Sequence, residues 1–399
     1  MTGLLKKMRL LSLLAVLAAF SVPALSQQAW LVTYGTAERV EEQFGHNAIW
    51  IRDPARGIDA IYNFGFFDFD KPGFYREFLF GEMLYYALAR APEEELAYYQ
   101  WRDREVRAQL LNLSAEQLRR LTGWLEARVQ PETRDFRYDY YFYNCSNRVR
   151  DGLDFALDGA LSEYARGRPA RLNFRQHTRR MLQDDPLLYL GTQAGLGRPA
   201  DLPRSLWEEM FLPVVVAETV AEMSITLDDG RVVPLMLDDI LLYESGRTPD
   251  PTTPAFPFWL MLSLAVVTCL LIAAPALWMR RQRFVALLGA RIWILACTGG
   301  GLLLAFLWLA TDHQAAWRNE NLLLFNPLLI FLLRFRGGRI ERLAAGVIAA
   351  GLLLALILKL APGAQWNYDL LLWLVPAQAL LLRVWSRSVT TRRSESASA

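Results

Sequence analysis

Apolar and polar positions follow different patterns in the two halves of the chain, and the change falls near residue 254. Before it, apolar residues alternate with polar ones or recur at helical spacing, which is typical of a water-soluble α+β domain. Beyond Pro257, short loops separate long apolar runs, and about 20 apolar residues are what a membrane-spanning helix needs. Five runs are of this kind, near residues 258–279, 292–311, 322–333, 343–361 and 370–384. The third is short and contains Pro327, so a tilted, kinked or re-entrant segment is expected there.

The polar half is predicted to begin with strands and to continue with helices. Strand patterns cover residues 30–34, 46–51 and 58–66, and a turn-forming stretch at 52–57 joins the last two. Helical spacing covers residues 94–111. Ser114 and Gln117 form a capping box that opens a second helix to about Val129. Residues 214–243 are predicted to be strands around a turn at 228–230.

The amino terminus has the pattern of an export sequence. Lys6, Lys7 and Arg9 precede a short apolar run, and small residues stand at Ala24 and Ser26. This pattern predicts a secretory signal peptide over residues 1–26, cleaved after Ser26, with an uncleaved membrane anchor as the alternative. In either case, the polar half is expected to be exported.

Charge supports the same arrangement. The formal net charge is only +2, so no basic field favours nucleic acid, and no nucleic-acid partner is expected. Arginines cluster after the first and third apolar runs and in the tail, whereas the alternate loops 312–321 and 362–369 contain only Arg318. This positive-inside pattern predicts a protein integral to the bacterial cytoplasmic (inner) membrane, with the polar half on the periplasmic side. The predicted order is an extracytoplasmic domain at 27–254, a membrane domain of about five spans at 255–385, and a cytoplasmic tail at 386–399.

Cys145 is the only cysteine of the exported half, since Cys269 and Cys297 lie within predicted spans. A single thiol in an exported domain is either reactive or incidental. Residues 138–151 run from a turn into a helix, so Cys145 is expected at or just before a helix amino terminus. There the free backbone N–H groups and the positive end of the helix dipole stabilise a thiolate.

Two histidines of the exported half are candidates for the base that a thiol nucleophile needs. His177 lies among arginines and is interpreted as a surface residue. His46 begins a predicted strand, and if Ile51 pairs with Ile58, His46 lies opposite Asn63 on the same face of the hairpin. An amide beside the ring can hold the imidazole in the tautomer that acts as a base. This spacing predicts a Cys-His-Asn arrangement, although Asn63 is equally explained as the start of the bend before Gly65.

Four motifs of the exported half, at residues 44–48, 63–68, 81–86 and 140–151, resemble the Lnb amino-terminal periplasmic-domain family. The resemblance extends to the loop 313–321 and to Asn326-Pro327. That family is named for a lipoprotein acyltransferase and is similar to papain-like thiol enzymes in which His precedes Cys. The resemblance implies an α+β papain-like extracytoplasmic domain, followed by an all-α polytopic membrane domain, and a catalytic Cys145–His46 pair that acts on acyl lipids.

The leading functional hypothesis is acyl transfer through an acyl-thioester on Cys145, with membrane lipids or lipoproteins as substrates. The oxyanion is expected on the backbone N–H groups of Cys145 and Ser146, with Asn144 or Asn47 as side-chain donors. The alternatives are a thiol hydrolase or peptidase of the cell envelope, and a non-catalytic membrane-anchored scaffold or sensor.

Two further features of the sequence each allow two interpretations. His313, Asn319 and Asn321 are expected on the exported side, where they either bind a lipid head group or dock the exported domain. The aromatic stretch at 74–86 either lines an acyl channel or packs as a helix in the core. No cofactor is expected, and the three histidines with one exported cysteine give no metal-ligand cluster.

Overall fold

A computed structural model describes residues 27–227, 229–278 and 287–398. The predicted signal peptide and the arginines at 280, 281 and 283 lie outside the described residues. The chain divides into two compact units. The first comprises residues 27–67, 85–164 and 210–247, and the second comprises 68–84, 165–209 and the chain from 248 onward.

The first unit is an α+β domain built on a large antiparallel sheet. Its strands are β1 (Gln28–Tyr34), β2 (His46–Asp53), β3 (Ile58–Phe66), β4 (Leu84–Arg90), β5 (Val106–Leu111), β6 (Asp135–Arg137), β7 (Ser224–Thr226), β8 (Val232–Pro234) and β9 (Met236–Tyr243). Seven of them form one sheet in the order β6-β4-β3-β2-β1-β5-β9, and β7 pairs with β8. The three strands predicted at the start of the polar half are confirmed.

A twelve-residue helix begins at Cys145, and other α-helices precede and follow it along the chain before residue 224. These helices are α1 (Phe74–Phe80), α2 (Pro92–Trp101), α3 (Ala115–Arg128), α4 (Cys145–Ala156), α5 (Ala160–Arg166), α6 (Phe174–Leu182), α7 (Pro186–Gly195), α8 (Leu206–Glu209) and α9 (Pro213–Glu222). The capping box predicted at Ser114 is confirmed: Ser114 Oγ accepts from the Gln117 N–H, and the Gln117 side chain accepts from the Ser114 N–H.

Two predicted elements were wrong in part. The helix expected over 94–111 ends at Trp101, because Asp103 adopts a positive φ of 50° and the chain then forms strand β5. The strands expected over 214–243 begin only at Ser224. Helix α9 precedes them, since Pro213 occupies a first-turn position and the buried valines recur at helical spacing. Valine runs favour strands locally, and burial on one helical face outweighs that preference.

The second unit contains the apolar helices α10 (Phe258–Trp278), α11 (Leu288–Leu309), α12 (Arg339–Ile357) and α13 (Tyr368–Ser398). Within the described residues, three helical stretches are long and apolar enough to cross a membrane, at Leu288–Leu309, Arg339–Leu360 and Tyr368–Arg392. The third apolar run forms two 3-10 helices, Glu320–Leu323 and Pro327–Leu332. Neither approaches the ~30 Å hydrocarbon thickness at a rise of about 2 Å per residue, so this run is irregular, and the total of about five crossings stays a prediction.

Candidate functional site

The hairpin of β2 and β3 positions two of the predicted site residues. Its observed register pairs Asp53 with Ile58 and Ala48 with Asn63, so the predicted pairing of Ile51 with Ile58 was wrong by two residues. The turn is shorter than expected, since β2 continues through Asp53. A shift of two residues leaves side chains on the same face of a sheet. His46 therefore lies diagonal to Asn63, and its Nε2 is 2.9 Å from Asn63 Oδ1.

Aromatic rings on the same face hold the His46 imidazole in place. The Tyr34 ring stacks on it with centroids 5.7 Å apart, and Tyr99 from α2 stacks on Tyr34 at 3.6 Å. Because Asn63 Oδ1 is a hydrogen-bond acceptor, it favours the tautomer in which Nε2 carries the hydrogen. Nδ1 is then the nitrogen that can accept a proton.

Cys145 is the first residue of α4, as predicted from the sequence. Asn144 is the N-cap and forms a reciprocal capping box with Asn147. No acidic residue lies in the first turn, so nothing there opposes the positive end of the helix dipole. Gly65 lies at a bulge of β3 with a φ of 107°, and a β-carbon at this position would be 3.9 Å from Cys145 Cβ. The bulge thus brings the end of β3 beside the thiol.

The Cys145 thiol and the His46 ring interact, and each shifts the pKa of the other. Burial alone would raise the pKa of Cys145. The positive charge and hydrogen bond of His46, together with the backbone N–H of Asn47, outweigh burial and lower the pKa to about 7. Burial likewise opposes protonation of His46, but the thiolate and Asn63 raise its pKa. Both shifts favour a thiolate–imidazolium pair near neutral pH.

Both side-chain N–H groups of Asn144 are engaged elsewhere, which corrects the prediction for Asn144 as an oxyanion donor, whereas the prediction for Asn47 stays open. Asn144 Nδ2 donates to the carbonyls of Tyr140 and Phe211, because its side chain caps the helix. Asn47 Nδ2 donates to Thr33 Oγ1 at 2.9 Å. In the part of the chain that the structure describes, the amides of Cys145 and Ser146 have no acceptor, so the two predicted backbone donors are available.

Glu95 is a site residue that the sequence analysis missed. It lies on α2, is only 1% exposed, and its Oε2 is 3.4 Å from Nη1 of Arg90. Its carboxyl lies beside Asn63 and Tyr34 and interacts with the charge of His46. Burial raises the pKa of Glu95, and the positive charge of His46 opposes this shift. The sequence does contain a signal that Glu95 is buried: it lies four residues before the apolar Tyr99, on the same face of the helix.

Replacing Glu95 with Gln is expected to reduce the thiolate fraction of Cys145 at pH 7 by about two- to fivefold, as a rise of half a unit to one unit from a pKa of about 7 would. The reason is that a nearby carboxylate favours the imidazolium form of His46, which in turn stabilises the thiolate. The pH profile of Cys145 alkylation measures this change. Glu94→Gln, on the exposed face of the same helix, is the matched control. Identical profiles for the two variants would contradict a role for Glu95.

His177 is buried, so its interpretation as a surface residue was wrong. It is 2% exposed, its Nε2 lies 2.7 Å from Glu209 Oε1, and its Nδ1 accepts from Arg180 Nε. The arginines that suggested a water-facing helix are themselves buried or paired. Burial lowers the pKa of His177, which keeps the ring neutral between its two partners.

Asn319 and Asn321 hold a segment of the polar half within the second unit. Asn319 Nδ2 donates to the carbonyls of Ala194 and Gly195, and Asn321 Nδ2 donates to those of Gln193 and Ala194. These carbonyls end helix α7, where intrahelical donors run out. Both side chains are buried, and their amide oxygens accept hydrogen bonds as well, so no atom of either amide remains for a lipid head group. His313 Nε2 lies 3.0 Å from the carbonyl oxygen of Phe78.

The two compact units of the structure do not meet at the predicted domain border near residue 254. Residues 68–84 and 165–209 belong to the unit that contains the apolar helices. Hydropathy places them in the polar half, whereas their hydrogen bonds attach them to the membrane part. No group of three or more metal-binding side chains comes together within the described residues.

Two family models match the chain. The model of the Lnb N-terminal periplasmic domain matches residues 21–182, and the model of the Lnb transmembrane domain matches residues 248–342. The two matches together cover more than half of the 399 residues and follow the order of the two halves. No curated protein and no solved structure gives a significant match.

Proposed function

This chain belongs to the Lnb family, and from that premise we propose that it is a membrane-bound thiol acyltransferase that acts on lipid or lipoprotein esters. Cys145 would be its nucleophile, His46 its base and Asn63 the residue that orients His46. The observation that carries the proposal is the interaction of Cys145 with His46, which lowers the pKa of the thiol to about 7, in the extracytoplasmic domain of a membrane protein.

The first half-reaction would load the thiol. His46 Nδ1 takes the proton of Cys145, and the sulfur attacks the carbonyl carbon of an ester. The backbone N–H groups of Cys145 and Ser146 stabilise the oxyanion of the tetrahedral intermediate. The C–O bond then breaks, the departing alkoxide takes the proton from His46, and an acyl-thioester remains on Cys145.

The second half-reaction would pass the acyl chain to an amine. The free amino group of a lipoprotein's terminal diacylglyceryl-cysteine attacks the thioester carbonyl, and His46 removes its proton. The C–S bond breaks, an amide forms, and the thiol is regenerated with the proton that His46 returns. Water in place of the amine would make the same residues a hydrolase.

Aromatic rings beside the thiol support an apolar substrate. Tyr138 contacts the Gly65–Cys145 region, Tyr85 stacks on Tyr138 with centroids 4.2 Å apart, and Phe67 lies 4.8 Å from Tyr85. A column of rings suits an acyl chain better than a hydrated peptide, because it offers contact area and few hydrogen-bonding groups. The proposal includes a papain-like fold of the type in which the catalytic histidine precedes the cysteine, as His46 precedes Cys145 here.

The test is direct detection of the acyl-enzyme. The full-length protein is incubated with phosphatidylethanolamine vesicles of one acyl composition, and the reaction is quenched in acid. The mass of the peptide that contains Cys145 is then measured by mass spectrometry. We expect this peptide to gain the mass of that acyl chain and to lose it in hydroxylamine. Addition of a diacylglyceryl lipopeptide with a free amine should discharge the adduct into an N-acyl product.

Other outcomes would reject the proposal in distinct ways. Discharge only to water, with the amine present, would indicate a hydrolase. An unmodified Cys145 together with an altered muropeptide profile would indicate a peptidase of the cell wall. An unmodified Cys145 that is also alkylated no faster than an ordinary thiol would indicate a scaffold.

A further inference from the structure

Helix α1 and the residues around it form an exposed aromatic element in the second unit. Tyr75, Phe78 and Leu79 follow the i, i+3, i+4 spacing of one helical face, and they are 72%, 53% and 45% exposed. Phe74, one turn before Phe78, is buried, and its ring lies against that of Phe78. Three large apolar side chains in one contiguous exposed stripe are unusual on a surface that faces only water.

The element is attached to the end of an apolar helix. The Phe80 ring meets Phe306 of α11 edge to face at 5.4 Å, and the Asp312 N–H donates to the Phe80 carbonyl. Gly81, in the left-handed conformation, lies against the backbone of Asp312 and His313, where a β-carbon would be 3.0 Å from backbone atoms. The attachment is therefore close and involves backbone on both sides.

This attachment sets the height of the element relative to a bilayer. Helix α11 has 22 residues, about 33 Å at 1.5 Å per residue, which matches the ~30 Å hydrocarbon thickness. Phe306 lies one turn from the end of α11, and Trp308, beside it, is half-exposed, as interfacial tryptophans are. Residues 68–84 also fall within the matched periplasmic domain. The end of α11 that contacts Phe80 is therefore the end at the periplasmic face of the membrane.

Charges around the stripe suit the same position. Lys71 pairs with Glu77, and Arg76 pairs with Glu82 while its guanidinium lies 5.2 Å from the Phe80 ring. Paired ions at the edge of an apolar stripe, with an arginine over an aromatic ring, are compatible with the boundary between head groups and acyl chains.

From these observations, we propose that the stripe of Tyr75, Phe78 and Leu79 contacts the lipids of the outer leaflet, at the level where α11 leaves the membrane. Leu302 and Leu309 are exposed on one side of α11, and Phe306 lies between them along the helix. Because Phe306 contacts Phe80, apolar surface extends from this side of α11 to the stripe. This inference does not depend on acyl transfer.

Spin labels test the proposal. The full-length chain with Cys145→Ser, Cys269→Ala and Cys297→Ala carries one new cysteine, Phe78→Cys or Leu79→Cys, with a nitroxide, in phosphatidylethanolamine–phosphatidylglycerol nanodiscs. We expect the label to collide more often with oxygen than with a water-soluble nickel chelate. Arg119→Cys, on the polar face of α3, is the control and should show the opposite preference.

Two results would overturn the proposal. One is a label at position 78 or 79 that meets the nickel chelate as often as the label at Arg119 does. The other is a label shielded from both reagents, which would mean that protein covers the stripe. A photo-reactive phenylalanine in place of Tyr75, in the chain with its cysteines intact, checks the result independently: phospholipid adducts are expected, and adducts to protein alone would contradict the proposal. Since Cys145 is absent from the labelled chain, failure here is distinguishable from failure of the proposed acyl transfer.

Discussion

Replacement of Cys145 by serine is expected to reduce acyl transfer by at least about 10³-fold, because loss of the nucleophile removes the covalent intermediate. A serine hydroxyl stays protonated next to His46 at neutral pH, where the thiol is about half ionised at its pKa of about 7. The measurement is the rate of N-acyl lipopeptide formation by the reconstituted protein, with the acyl-enzyme followed by mass.

Cys269→Ala provides the matched control. Cys269 packs against the apolar cluster of the membrane helices, and its removal should leave the rate within about twofold of the unmodified protein. The serine variant should unfold at nearly the same temperature, since the substitution exchanges a single side-chain atom. More than a tenth of the original rate in a folded Cys145→Ser variant would mean that Cys145 is not the nucleophile.

His46→Gln is expected to slow alkylation of Cys145 at pH 7 by roughly 50-fold or more. His46 supplies the charge and hydrogen bond that lower the pKa of the thiol to about 7. Without them, burial dominates and the pKa returns to its ordinary value near 9 or above it. The thiolate fraction at pH 7 would then fall from about one half to about one hundredth. A group with a lowered pKa is ionised above that pKa, so the difference should vanish at strongly alkaline pH.

Peptide-resolved mass spectrometry after timed exposure to iodoacetamide gives the rate for each cysteine separately. His313→Gln is the control, because His313 lies on the loop after α11, where its Nε2 is 3.0 Å from the carbonyl oxygen of Phe78. Equal pH profiles for His46→Gln and the unmodified protein would refute the thiolate–imidazolium pair.

The two effects differ in what they report. Loss of Cys145 tests the chemistry of the proposed reaction, whereas loss of His46 tests the ionisation that precedes it and needs no substrate. Glu95→Gln extends the second test by one residue, from the base to the carboxylate behind it. If Cys145 is activated but no acyl transfer is detected, the proposed thiolate–imidazolium pair is retained and the proposed substrate is rejected.

Local pattern was sufficient for much of the fold and for part of the site. The three first strands, the capping box at Ser114 and the helix that begins at Cys145 depend on residues within a few positions of each other, so the sequence alone predicts them. The family was likewise recognised from short motifs, and the family models confirm it. The predicted register of β2 and β3 was wrong by two residues. His46 and Asn63 still share a face, because strand side chains alternate with a period of two.

By itself, the sequence determined that an exported α+β domain precedes an apolar membrane part, and that its lone thiol begins a helix. Hydropathy and capping are properties of neighbouring residues. Only the tertiary structure decided which partners the polar side chains take: Glu95 beside Asn63, His177 between Glu209 and Arg180, and Asn319 at the end of α7. It also decided that Asn144 donates both of its side-chain N–H groups to backbone carbonyls. Such partners lie far apart along the chain, and a buried polar group is identified only by the hydrogen bonds that satisfy it.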